Sequence, residues 1–162
     1  MRVGFGYDIH RFIEGRKLFL GGVEIPYVKG LDGYSDADVL LHAICDAIVG
    51  AMGKDDIGIH FPNNDPQFKG ISSLELLHKV AVLAEKSGFR IINVDSTLIL
   101  EEPKLLPFKA KMRKTIASVL GIDEERVNIK ATTQEGVGAI GRGEAIAAYA
   151  VAVVAAAGEE IK

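Results

Sequence analysis

The sequence has no tryptophan, a single cysteine (Cys45) and only five prolines in 162 residues. One thiol can form neither an intrachain disulfide nor a thiolate metal cluster, and this usage fits a reducing compartment. Long hydrophobic runs are also missing. The longest, Ala145 to Ala157, covers 13 residues, against the roughly 20 that a membrane-spanning helix needs. There is no basic excess, because 22 acidic residues face 19 basic ones and the net charge is −3. Without a basic patch or an aromatic-basic ladder, nucleic acid is not expected as a main partner. The opening M-R-V-G-F-G-Y-D carries no targeting leader. What is present is the balance of a globular protein, 48% apolar and 25% charged, long enough for one well-filled core. A single domain over residues 1–162, cytoplasmic and away from membranes, is expected.

Periodicity places the elements. Val3 to Ile13 is aromatic and branched with a period near two, and reads as a strand. Lys17 to Ile25 reads as a short strand pair around Gly21-Gly22, stopped by Pro26. Asp36 or Asp38 caps a helix over Val39 to Met52, whose apolar stripe includes Leu40, Ile44, Ala47, Ile48 and Ala51. Gly53 to Gly70 reads as a functional loop. Ser72 or Ser73 caps a second helix ending near Lys86. Phe89 to Leu100 is a strand, Lys104 to Leu120 a third helix, and Arg126 to Thr133 another strand. Ile146 to Ala156 is rich in alanine, which favours helix, yet its unbroken apolar run suits a buried strand. The strand is the preferred reading, with one face against another subunit. The fold class is α+β, with a four-stranded, mostly antiparallel or mixed sheet carrying helices on one face.

Asp8 and His10 stand at i and i+2 of the first strand and project from the same face. That spacing suits two ligands of one metal, and it equally suits a solvated polar face. Asp38, His42 and Asp46 recur every fourth residue as a polar stripe beside the apolar one. Adding His42 to Asp8 and His10 gives two imidazoles and one carboxylate with one position open, the way catalytic zinc is commonly held. Asp46, one turn beyond, is placed to orient the His42 imidazole. The bland alternative, a partly buried histidine on an ordinary surface helix, stays open. His60 and His78 have no ligand-like neighbours at suitable spacing.

A second cluster is K-A-T-T-Q-E-G-V-G-A-I-G-R-G-E, Lys130 to Glu144. Hydroxyls, a glycine turn and Arg142 are groups that hold phosphate, and Glu135 among them suits magnesium bridging phosphate oxygens. A plain glycine-rich turn between two strands explains the same residues. Gly136 to Gly141 matches G-x-G-x-x-G, but only 21 residues follow it, too few for the rest of a dinucleotide-binding domain. Asp56 to Pro66 reads either as a capped turn or as a lid over substrate.

In order along the chain, these motifs resemble the 2-C-methyl-D-erythritol 2,4-cyclodiphosphate synthase family of the non-mevalonate isoprenoid pathway. The resemblance rests on G-x-D-x-H at Gly6–His10, S-D-A-D-V-L-L-H-A at Ser35–Ala43 and D-I-G-x-x-F-P at Asp56–Pro62. It continues with D-P-x-F-K-G at Asp65–Gly70, N-V-D at Asn93–Asp95 and K-A-T-T-x-E-x-x-G-x-x-G-R-G-E at Lys130–Glu144. It implies a homotrimer with active sites between subunits. It also implies a lyase that closes 4-diphosphocytidyl-2-C-methyl-D-erythritol 2-phosphate into a cyclic diphosphate, releasing CMP.

The resemblance puts zinc, or manganese or cobalt, on Asp8, His10 and His42. Magnesium, or manganese, falls on Glu135 together with the substrate diphosphate. Cytidine contacts map to Leu100, Glu101, Glu102, Pro103, Lys104, Leu105 and Leu106, and to Ala131, Thr132 and Thr133. Sugar-alcohol and phosphate contacts map to Asp56, Ile57 and Gly58 and to the loop Phe61, Pro62, Asn63, Asn64 and Asp65. Further substrate contacts fall on Ile9, Tyr34, Ser35, Gln134, Ala139 and Arg142. Tyr34 and Thr133 take the catalytic positions. The sequence departs from the family pattern in three places. Tyr34 stands where a phosphate-contacting histidine is common, Asn63-Asn64 replaces D-T, and Ala139 replaces an aromatic residue beside the trimer axis. Arg142 is kept, so an isoprenoid diphosphate in an axial cavity is a further expected partner. Two other readings use the same residues, namely a zinc phosphohydrolase with water as nucleophile and a non-catalytic trimer that binds isoprenoid diphosphates.

Overall fold

A strand that runs between two others has both rows of its backbone groups claimed, and the alanine-rich C-terminal segment is such a strand. In the computed structural model, which describes residues 1–159, β7 (Ala145–Ala156) lies at the centre of a five-stranded sheet. Its antiparallel neighbours are β1 (Arg2–Ile13) and β5 (Phe89–Ile99). The ladders on both sides override the helical preference of alanine. Beyond β5 lies β6 (Val127–Thr132), parallel to it, and a parallel pair needs a crossover. Helix α4 (Lys109–Leu120) supplies that crossover.

The sheet has five strands rather than the four expected. The additional one is β4 (Gly30–Leu31), paired with Phe12 and Ile13 at the end of β1. Two residues inside a glycine-rich segment show no periodicity, so the sequence pattern did not reveal it. Strands β2 (Leu18–Leu20) and β3 (Val23–Ile25) form a separate hairpin, with Gly21 and Gly22 both at positive φ in its two-residue turn.

Helix α1 (Val39–Ala51) sits against β1 and β7 with nearly every side chain buried. Its closeness is made possible by two glycines. A Cβ on Gly4 would lie 1.9 Å from the Ala47 carbonyl oxygen, and one on Gly6 1.9 Å from that of Ala43. Asp38 caps α1 by accepting the Leu41 N–H at 3.1 Å, and also accepts the N–H groups of Gly21 at 3.0 Å and Gly22 at 2.7 Å. One buried carboxylate thus ties the hairpin turn to the helix. Helix α3 (Ser73–Lys86) packs on α1, capped by Ser72, and α4 packs on α3.

Two expectations are corrected here. Helix α4 begins at Lys109, not Lys104; before it the Leu105 carbonyl accepts the N–H groups of Phe108 at 2.9 Å and Lys109 at 3.2 Å in a single turn, and Pro107 has no N–H with which to carry the helix further back. The 53–70 loop contains two helical turns, α2 (Ile57–His60) and Pro66–Phe68, capped by the side chains of Asp56 and Asp65. Over β1 and β7 the sheet face away from α1 is apolar and open in the single chain, while β5 and β6 carry Asp95 and Lys130 there. Val3, Phe5, Tyr7 and Ile9 of β1 lie there with Tyr149 and Val151 of β7, and Val3 and Phe5 are 68% and 62% exposed.

Candidate metal centre and substrate cleft

Period-two alternation turns Gly4, Gly6, Asp8 and His10 of β1 toward α1. The two glycines let the helix down, and this brings His42 onto the pair. Asp8 Oδ2 lies 3.0 Å from His10 Nε2 and 2.9 Å from His42 Nδ1, and the two imidazole nitrogens are 3.2 Å apart. A tetrahedral ion with bonds of about 2.1 Å would spread such atoms to about 3.4 Å. The three residues therefore form a group that fits a metal with little movement.

Neighbouring groups orient the ligands. His10 Nδ1 faces the Asp32 carbonyl oxygen, which leaves Nε2 for the shared point. His42 Nε2 faces two hydroxyls, Ser73 Oγ at 3.0 Å and Ser35 Oγ at 3.1 Å. Asp46 was expected to orient His42. Its carboxylate instead accepts the Ile57 N–H at 2.8 Å and so anchors the start of α2.

Burial pushes the Asp8 carboxyl up, but hydrogen bonds and charge from the two histidines outweigh it and hold it far below the ordinary carboxylate range. Burial likewise pushes His10 down, and the Asp8 carboxylate and the Asp32 carbonyl more than reverse this, so its net shift is upward. Burial raises Asp46, against the Ile57 N–H.

The triad opens into a cleft of about 670 Å³. Of the residues expected to touch substrate, Tyr34, Ser35, Asp56, Ile57, Gly58, Phe61 and Asn63 line this cleft. Tyr34 reaches across it, donating its O–H to the Asp65 carbonyl at 3.2 Å. Pro62, Asn64 and Asp65 belong to the same turn but do not line the cleft. Ser35 is buried with its hydroxyl turned inward, and Ile9 points to the opposite face of the sheet. Three contributors lay outside the expected set: the Asp32 carbonyl, Ser73, and Arg16, whose guanidinium binds the carbonyls of Gly33 and Ser35. A backbone carbonyl has no sequence signature. Ser73 did leave one, because one serine suffices for a cap and two stand together.

The second cluster is assembled elsewhere on the chain. The Leu100 N–H donates to the Thr132 carbonyl at 3.0 Å, joining the 100–106 segment to the end of β6. Glu101 Oε1 accepts the N–H of Gln134 at 2.8 Å and of Gly136 at 3.3 Å, closing the turn that bears Glu135. Glu135 sits at a φ of 53°, an uncommon angle for a non-glycine residue, and its Oε1 accepts the Thr133 hydroxyl at 2.9 Å. Such outliers gather at functional sites. Lys104 turns back on Glu102 at 3.5 Å and Leu105 is buried, while Leu106 and Ala139 are exposed. Arg142 pairs with Glu144 at 2.6 Å.

None of these groups lines the cleft of its own chain. Strands β7 and β5 stand between β1 and β6, so Thr132 at the end of β6 is three strand spacings from β1, roughly 14 Å, while the other end of the segment returns to β1, where the Glu144 carbonyl accepts the Phe12 N–H at 2.8 Å. Among the described residues no helix is long and apolar enough to cross a membrane.

Comparison with known proteins follows this geometry. Residues 1–155 match the YgbB family. The 2-C-methyl-D-erythritol 2,4-cyclodiphosphate synthase of Alkaliphilus metalliredigens is 58% identical over 95% of this chain and 97% of its own length. That of Syntrophotalea carbinolica is 57% identical over 95% and 94%. Among solved structures, IspF of Plasmodium falciparum as a CDP complex superposes with a TM-score of 0.84 at 36% identity, covering 96% of each chain. The bifunctional IspDF of Campylobacter jejuni gives 0.91 at 43% identity, over 94% of this chain and 42% of that one. This chain belongs to the YgbB family, whose curated relatives matched here are 2-C-methyl-D-erythritol 2,4-cyclodiphosphate synthases.

Proposed function

We propose that residues 1–162 form one catalytic domain that converts 4-diphosphocytidyl-2-C-methyl-D-erythritol 2-phosphate to 2-C-methyl-D-erythritol 2,4-cyclodiphosphate and CMP. The observation that carries this reading is the Asp8–His10–His42 group opening into a cleft walled by both polar and apolar side chains. Two histidines and one carboxylate suit zinc, with manganese or cobalt as substitutes. Bound there, the ion supplies Lewis acidity and a template for phosphate oxygens, while magnesium at Glu135 offsets the charge of the diphosphate.

The attacking atom is already a phosphate oxygen, so no side chain has to act as general base. What the chain must do is hold two anionic groups in line and exclude alternatives. On binding substrate, Tyr34 would turn its O–H from the Asp65 carbonyl to the 2-phosphate, and Thr133 would turn its own from Glu135 to the phosphate where charge develops. Asp56 to Gly58 and the Phe61 to Asp65 turn hold the sugar alcohol. The Leu100 to Leu106 segment, with Ala131 and Thr132, takes the cytidine.

Because the Glu135 cluster stands apart from the metal group in one chain, the working site joins two subunits of a homotrimer. The open apolar sheet face supports that assembly, since a patch of this kind marks an interaction surface. The same reading has Arg142 hold an isoprenoid diphosphate in an axial cavity of the trimer. A cytoplasmic location fits the lone unpaired thiol.

The deciding experiment is phosphorus NMR of purified protein with the diphosphocytidyl substrate, with and without zinc and magnesium. A cyclic diphosphate plus CMP is expected only when metal is present. Its absence under every metal condition would overturn the reading, and linear products with inorganic phosphate would favour a phosphohydrolase.

A further inference from the structure

Strand β1 ends in a turn at Glu14 and Gly15, where Gly15 sits at a φ of 77°. The chain then doubles back beside β4, so closely that a Cβ on Gly30 would lie 2.6 Å from the Arg16 carbonyl oxygen. From there the half-buried Arg16 side chain reaches the bend at residues 33–36. Its Nη1 donates to the Gly33 carbonyl at 2.6 Å, and its Nη2 donates to the Ser35 carbonyl. One planar guanidinium thus brackets Tyr34 from both sides along the chain.

A bend has no ladder to fix which way its carbonyls point, so other groups must hold them. Gly33, Tyr34 and Ser35 line the cleft, whereas Arg16 does not. The two carbonyls are therefore drawn toward a group behind the cleft wall. In a planar trans peptide the C=O and the N–H point in opposite directions. With the Gly33 carbonyl on Arg16, the N–H of Tyr34 is turned away from Arg16, and among the described residues no acceptor meets it. The bend is tied down elsewhere, since the Asp36 N–H donates to the Ile71 carbonyl at 3.0 Å and the Tyr34 carbonyl accepts the Gly70 N–H at 2.8 Å. For an anionic ligand the difference matters. A carbonyl oxygen facing the cleft repels phosphate, and a backbone N–H facing it attracts phosphate.

We propose that Arg16 is a positioning residue that holds the Gly33 and Ser35 carbonyls back from the cleft and so presents the Tyr34 N–H to a substrate phosphate. The proposal rests on the reading above in which Tyr34 and Ser35 meet substrate. It gives the tyrosine at this position two donors, its O–H and its N–H, where it has no positive charge to offer. The guanidinium charge stays behind the wall and acts only through the backbone it orients.

Two measurements test it. Backbone nitrogen-15 NMR of the zinc-loaded protein, titrated with inorganic phosphate, reads the Tyr34 N–H directly. The wild-type Tyr34 amide is expected to shift as phosphate is added. Arg16→Gln is expected to need about 10-fold more phosphate, the size of one charge-assisted hydrogen bond. Arg16→Lys, which can hold one carbonyl but not both, should fall between them. In turnover with the diphosphocytidyl substrate, Arg16→Gln should raise KM by a similar factor and nearly keep kcat, because the contact is made in ground and transition states alike. A wild-type Tyr34 amide that ignores phosphate overturns the proposal, as does an Arg16→Gln protein with the wild-type phosphate midpoint. Loss of kcat at unchanged KM, or loss of zinc, also overturns it, since Arg16 would then brace the fold at large. Should Arg16→Gln fail to fold, Arg16→Lys carries the same comparison. A wild type that forms no cyclic diphosphate overturns the proposed activity instead, and the phosphate titration still judges Arg16.

Discussion

Asp8, His10 and His42 each offer one atom to a shared point, whereas Glu135 stands on a separate strained turn. Their substitutions should therefore separate cleanly. Asp8→Ala, His10→Ala and His42→Ala are each expected to lose stoichiometric zinc by elemental analysis of the purified protein. Glu135→Gln is expected to keep that zinc and lose about 100-fold or more in turnover, the scale set by removing one group that meets transition-state charge. Retained zinc in any of the first three would remove that residue from the ligand set. Much of this centre was legible in the sequence. Asp8 and His10 follow from strand alternation, and His42 from a polar position inside an otherwise apolar helix. The supports were not legible, because they depend on where the chain returns. The Asp32 carbonyl is backbone, and Asp36 meets Ser73 across 37 positions of sequence. Asp46 misled for the opposite reason. Helical spacing set it near His42, but the neighbouring Ile57 N–H lies across a loop and claims its carboxylate.

Among elements, α1 is the one on which the site depends, and its position is set by what β1 leaves out. Gly6→Ala inserts a methyl where the Ala43 carbonyl already lies. Overpacking of this kind costs about 1–3 kcal/mol or more. The helix must lift, so zinc affinity is expected to fall together with the urea midpoint. A variant with unchanged zinc affinity would show that His42 does not depend on this contact. The helix cap makes a separate prediction. Burial first, and then the nearby Asp36 carboxylate, push Asp38 up to about 6 against three backbone N–H groups. A folded-state value above the ordinary carboxylate value of about 3.9 means a contribution fully present below that pH and lost as pH rises through about 6. Urea unfolding between about pH 4 and 7 should show wild type losing ground to Asp38→Asn as pH rises, and a constant gap would contradict the shift. The cap itself could be read from the sequence down to a choice of two aspartates. The start of α4 could not, since helix-favouring residues from Lys104 hid the effect of Pro107.

For the whole molecule, the open face of β1 and β7 is the feature the chain does not satisfy alone. Phe5→Glu with Tyr7→Glu, on the face opposite the metal ligands, is expected to yield a smaller species in sedimentation velocity. That species should still take up zinc and lose turnover, because the Glu135 cluster of a neighbour is no longer supplied. Full activity in such a species would refute the shared site. The homotrimer is an expectation carried by the family resemblance, as composition does not distinguish a buried core strand from one that meets a second chain. The position of β7 also bears on how this protein comes off the ribosome. Among the described elements, the last to be synthesised is the middle strand of the sheet. Until it emerges, β1 and β5 have no common neighbour, and α1 has only part of its floor. The two longest ladders of the sheet must wait for that one late insertion, which slows folding and leaves apolar strands unprotected while the chain is nascent. Metal uptake should then report the arrival of β7, since the triad cannot be held in place before that strand has slid in beside it.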